Sequence, residues 1–193
     1  MPSDTSAIKP WTDELDNLAF DRNRCPRPGE KLLTLYRAAQ HLVRYRNGDD
    51  LMDAILVDTV AVLDARCGAI ALADSDELLH VRAQVGESNG RPRFSQKLAV
   101  RSYMTCKSIL CGCANDNSKL LTAQTVARGA SASVMSVLLR TSHGRLGVLQ
   151  LGRNLGQMPF NSDDLHFADS IAVYLSLGIE NAPMNRNVLE DEE

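Results

Sequence analysis

From Glu30 onward the apolar positions of this chain follow two successive rhythms. Leu32, Leu35, Tyr36, Ala39, Leu42 and Val43 recur every three or four residues, which predicts a helix carrying them on one face. The stretch RNGDD ends that helix at Gly48 and offers Asp49 or Asp50 as the cap of a second one. This second helix is expected to run to about Asp64, with Met52, Ile55, Leu56, Val60 and Leu63 on its apolar side. At Cys67 the period drops to two. CGAIALA sets Ile70 and Leu72 on one face and alanines on the other, and DSDE reads as a tight turn. In LLHVRAQV, Leu79, Val81, Ala83 and Val85 are expected to point one way, and His80, Arg82 and Gln84 the other.

The polar loop GESNGRPRFSQK (86–97) leads to a short helix expected near Ala99–Lys107. The strand candidate CKSILCGC follows, then the polar link NDNSK and room for another short helix around Thr122–Arg128. SVMSVLLR and RLGVLQLG read as antiparallel strands joined by TSHG. NLGQMPFNSDD ends in a helix cap at Asn161 or Ser162, with Asp163 and Asp164 in the first turn. The closing helix, to about Asn181, is apolar nearly all round and so requires more than one partner surface. Helices gathered at both ends of an antiparallel sheet define an α+β layered domain.

Composition narrows the function classes. The 193 residues suit one domain over 30–182, preceded by a Pro-rich leader (1–29) and followed by an acidic flexible tail (183–193). Net charge is −3 without a basic patch, which argues against nucleic-acid binding. No apolar run is long enough to span a bilayer, and the N-terminus has no signal-like apolar core, so a cytoplasmic location is expected. Five cysteines in such a setting read as reduced thiols.

The order of elements, with the C-terminal wording, resembles the GAF domain, a sensing and dimerisation module related to PAS domains. The pieces that carry the resemblance are Leu138 and Leu139, Gly147–Leu149, Phe160–Asp164 and Ile179–Ala182, in that order. It implies a six-stranded antiparallel sheet with the terminal helices packed on one face and a ligand pocket under short helices and loops on the other. It also implies a regulatory role in signal transduction or transcription control, homodimerisation through the terminal helices, and an output module or partner outside this chain, which carries no Walker A, kinase or DNA-binding signature. The pocket lining expected from the short helix and facing strands is Tyr103, Met104, Cys111, Cys113, Arg128 and Ser133.

These residues match or miss the patterns of several specific chemistries. Cys111 and Cys113 are spaced C-x-C with no second knuckle, and the four histidines are scattered, so the pattern does not match structural zinc. The cluster reads instead as pocket wall, cysteine acting as a small hydrophobe. Free methionine-(R)-sulfoxide reductases are similar in size and fold and form the enzymatic alternative. Their cysteine before the strand beginning here at Ser133 is replaced by RGASAS, and their G-x-C-G by LAVRSYM, so no catalysis is expected. Of the cyclic-nucleotide motif NKFDE, Asn154, Phe160 and Asp164 match, whereas Leu155 and Leu165 replace its Lys and Glu, so its ion pair is not expected. Cys106 followed by Lys107 departs from the Cys-His of bilin attachment, and His80 and His143 sit at polar positions unsuited to a haem ligand. No G-x-S-x-G elbow is present, and Ser136 reads as a small strand residue. The arginines of GRPR (90–93) are expected in solvent or steering an anionic ligand. A further alternative is a ligand-free scaffold used for assembly. No cofactor is identified.

Overall fold

The computed structural model describes residues 28–86, 94–111, 133–154 and 157–190, with residues 28 and 183–190 as backbone only. Helices α1 (Pro28–Arg44) and α2 (Gly48–Val62) precede strands β1 (Cys67–Ala73) and β2 (Leu79–Gly86). Helix α3 (Gln96–Thr105) and strand β3 (Ile109–Cys111) come next, then β4 (Ser133–Thr141), β5 (Gly144–Arg153) and helix α4 (Ser162–Glu190). Among the described residues the sheet has five strands in the order β2-β1-β5-β4-β3, every pair antiparallel. The expected helix at Thr122–Arg128 and the GRPR arginines lie outside the described residues.

One face of the sheet holds the main core. Ile70, Ala83, Val137, Leu139, Leu149 and Leu151 pack against Ala38 of α1, Leu51, Ile55 and Leu56 of α2, and Phe167, Ile171 and Leu175 of α4. Burying each Val, Leu, Ile or Phe among them contributes about 1.5–3 kcal/mol. Two glycines permit the closest approaches. A Cβ on Gly147 would lie 2.0 Å from the Ala71 carbonyl oxygen, and one on Gly178 would lie 2.1 Å from Leu51 Cδ2. Among the described residues the opposite face carries α3, over Ala71, Leu79, Leu138 and Val148.

Several expectations require correction. On α1 the inward stripe is Thr34, Leu35, Ala38 and Leu42, while Leu32 and Val43 are exposed, Val43 by 87%. The six apolar positions spread over two adjacent helical stripes, and the packing against α2 and α4 selects one. The cap of α2 is Asn47, whose side chain accepts the Asp49 N–H at 3.2 Å, while Asp49 and Asp50 lie in the first turn. On β2 the strict alternation fails. A bulge opposite Ile70 and Ala71 inserts one residue, so Ala83 faces the helices, Leu79 faces α3, and Val81 is 40% exposed. Helix α3 starts and ends earlier than expected, and α4 continues past Asn181 to Glu190.

The α4 cap and the β1–β2 turn follow the sequence reading. Asn161 Oδ1 accepts the Asp164 N–H at 2.9 Å, and Asp164 Oδ2 accepts the Asn161 N–H at 3.3 Å. In the β1–β2 turn, Asp74 Oδ1 accepts N–H groups from Asp76 and Leu78, both at 2.9 Å, and Oδ2 meets His80 Nε2 at 2.8 Å. The Leu78 backbone bond, then the His80 side chain, hold the Asp74 carboxyl below its ordinary value of 3.8.

Candidate functional site

Helix α3 is clamped to β5 at both ends. The buried Gln150 amide accepts the Ser95 N–H at 2.5 Å and donates to the Ser95 carbonyl at 3.2 Å. At the other end Arg145 lies 4.5 Å over the Tyr103 ring, donates to the Tyr103 carbonyl at 3.3 Å and pairs with Glu77 at 2.7 Å. The small side chains of Ala71 and Ala99 pack together with Leu79, Tyr103, Leu138 and Val148 between helix and sheet.

The residues expected to line a pocket do not meet around one described cavity. Tyr103 is buried between α3 and the sheet, and Met104, next to it, is 58% exposed. Cys111 packs with Leu98 and Val134. Ser133 donates to the Cys111 carbonyl at 3.2 Å and accepts the Phe160 N–H at 3.1 Å, so it ties β3, β4 and the loop before α4 together. Cys113 and Arg128 lie outside the described residues.

Asp164 has cationic partners, although they come from outside the NKFDE motif. Lys31 Nζ of α1 lies 3.0 Å from Oδ1, and Arg153 of β5 lies 3.4 Å from Oδ2. The Arg153 guanidinium also donates to the carbonyls of Leu63 and Met158 and stacks 4.1 Å over the Phe160 ring. Lys31 and Arg153 therefore supply charge that the residue at 155 does not. Arg153 follows a run of apolar strand residues, a signal that its head group is drawn inward.

A cleft of about 510 Å3 opens where β3 stops short of the end of β4. Its walls come from the α3–β3 link, the outer part of β4 and one face of α4, with Leu138, Leu165, Ala172 and Val173 as the apolar lining. The link is built tightly. Cys106 caps α3 in the left-handed conformation (φ 54°, ψ 36°), and the Ser102 hydroxyl donates to the Lys107 carbonyl at 2.7 Å. The Ser108 hydroxyl donates to Asp169 Oδ1 at 2.5 Å and accepts the Leu138 N–H at 3.2 Å, extending the β4 edge with a side chain. Lys107 and Arg140 stand exposed at the rim, together with the free thiol of Cys106. Ser176 lines the inner part, 2% exposed, and its hydroxyl has no hydrogen-bond partner among the described residues. The cleft residues come from three separate stretches (106–108, 138–140 and 165–176), which no local spacing could bring together.

The GAF domain family model matches residues 47–181. The chain belongs to the GAF domain family. No curated protein sequence matches it. Solved structures similar to this GAF domain include the GAF domain of a phosphoenolpyruvate-protein phosphotransferase from Coxiella burnetii, at 15% identity and TM-score 0.66, over 82% of this chain and 97% of that one. The GAF domain of a putative sensor histidine kinase from Pseudomonas syringae is similar at 14% identity and TM-score 0.59, over 82% and 93%. Free methionine-R-sulfoxide reductase from Neisseria meningitidis, in complex with its substrate, is similar at 13% identity and TM-score 0.61, over 78% and 89%. At these identities the likeness is one of fold. Among the described residues of this GAF domain, no helix is long and apolar enough to cross a membrane, and no group of three or more His, Cys, Asp or Glu is placed to hold a metal ion.

Proposed function

We propose that this GAF domain is a non-enzymatic, cytoplasmic sensory module that binds a small molecule and passes its occupancy to an output domain or partner outside this chain. The observation that carries the reading is the edge cleft. Its volume lies within the roughly 300–1,000 Å3 of small-molecule sites, and one wall is the terminal helix. A ligand seated there touches α4 directly, and α4 runs on as helix to Glu190. Homodimerisation through the terminal helices is supported by apolar side chains left in solvent, Leu32 and Val43 on α1 and Val173 and Leu177 on α4.

The non-enzymatic part rests on the sequence departures from the reductase at RGASAS and LAVRSYM, and on the burial of Cys111 in packing. Native mass spectrometry of the purified chain tests the sensor reading. A co-purified small molecule released on denaturation is expected. If the chain turned over free methionine sulfoxide with a thiol reductant, the reading would fail in favour of the enzyme. A monomer by light scattering at high concentration would remove the dimer from it.

A further inference from the structure

The polar groups of the edge cleft are unequally committed. Among the described residues, Lys107 and Arg140 have no carboxylate partner, although Asp169 lines the same cleft. Asp169 instead holds the Ser108 hydroxyl, so part of its hydrogen-bonding capacity maintains the α3–β3 link. Ser176 is the reverse case. A buried hydroxyl without a partner is unfavourable, and a ligand atom that hydrogen-bonds to it relieves that cost. Between the cationic rim and this inner hydroxyl the walls are aliphatic.

From this arrangement we infer that the cleft takes a small organic carboxylate with a hydrocarbon body and a second hydrogen-bonding atom at its far end. The carboxylate sits at the rim between Lys107 and Arg140, where charge-assisted bonds are the strong ones. The body lies on Leu138 and Ala172, and the distal atom reaches Ser176 once a turn about its Cα–Cβ bond brings the hydroxyl, closed off in the ligand-free cleft, to the surface. Asp169 makes an ammonium-bearing ligand the competing chemistry, and the test separates the two. The inference deepens the sensor reading by naming the ligand class, and it concerns the same cleft.

The thiol of Cys106 provides a local reporter, because it is free, exposed and part of the lining. The full chain is treated with iodoacetamide, and alkylation at Cys106 is followed by peptide mass mapping in the presence of four probes. These are 4-hydroxyphenylacetate, phenylacetate, the neutral alcohol tyrosol and the cation tyramine. Strongest protection by 4-hydroxyphenylacetate is expected, with phenylacetate weaker by about tenfold for want of the distal hydroxyl. Tyrosol and tyramine are expected to be weaker by at least about tenfold for want of the carboxylate. Arg140→Gln and Ser176→Ala should each weaken the first probe by about tenfold, and Ser176→Ala should leave thermal stability equal or higher, since it removes an unpartnered buried hydroxyl. Protection by tyramine or tyrosol equal to that by 4-hydroxyphenylacetate would refute the carboxylate class and leave the sensor reading standing. No protection by 4-hydroxyphenylacetate at millimolar concentration would also refute it, and the sensor reading would then fall only if native mass spectrometry showed no co-purified molecule. Unchanged affinity in Ser176→Ala would refute the role given to the inner hydroxyl.

Discussion

The two faces of the sheet hold their helices by different means. The face carrying α1, α2 and α4 relies on large aliphatic side chains, with polar ties at its margins such as Arg153–Asp164, His41–Asp58 and Arg82–Asp49. The face carrying α3 offers β1 alanines and a small cluster, and gains its order from side-chain clamps at Gln150 and Arg145. Apolar burial is non-directional and scales with area, whereas a clamp is directional and fails as a unit when one partner goes. The helix face should therefore lose stability globally when damaged, and the α3 face locally.

The largest effect is expected where the helix face does use charge. Arg153→Met leaves the buried Asp164 with Lys31 alone and strips donors from the Leu63 carbonyl, costing about 3–5 kcal/mol in denaturant unfolding. A loss below 1 kcal/mol would mean the guanidinium is dispensable and the face is held by apolar packing alone. Leu149→Ala should cost about 2–5 kcal/mol, with hydrogen exchange rising across the whole sheet.

Gln150→Leu should cost less, about 1–3 kcal/mol, and its exchange signature should be confined to the start of α3. Exchange spreading into α2 or α4 would erase the distinction between the faces. The smallest effect is at the exposed turn. The Asp74 carboxyl titrates lower in the folded chain than unfolded, so its contribution is complete above its ordinary value of 3.8 and disappears as pH falls through the lowered folded value. Amide shifts of Asp76 and Leu78 should move in that acid range and cease to do so in Asp74→Asn. Equal movement in the variant would assign the change to another group.

The same contrast explains what the sequence made legible. The β4–β5 hairpin, the Asn161 cap and the layering followed from local periodicity and turn chemistry, because each is decided within a few residues. The stripe of α1 that faces inward was not, since both stripes are apolar and only the neighbouring helices choose between them. The β2 bulge also escaped, because one inserted residue leaves the alternation of LHVRAQV looking intact. The ion pairing of Asp164 was hidden for another reason. A motif reading looks at the residue in the expected place, and the charge arrives from Lys31 and Arg153 instead. The cleft is legible only in three dimensions, as its rim and its inner hydroxyl come from distant segments.

The pairing of Lys31 with Asp164 also bears on how the chain folds. The two residues are 133 apart in sequence, so this contact closes a loop containing every strand of the sheet. Contacts of such separation carry a loop-closure cost and raise the contact order of the fold. Until α1 docks, Asp164 has only Arg153, so the final helix can reach its place before its first turn is fully neutralised. The family match begins at residue 47, beyond all of α1. A fragment cut there would contain the sheet and the cleft residues, yet lack the lysine that completes the acid's pairing.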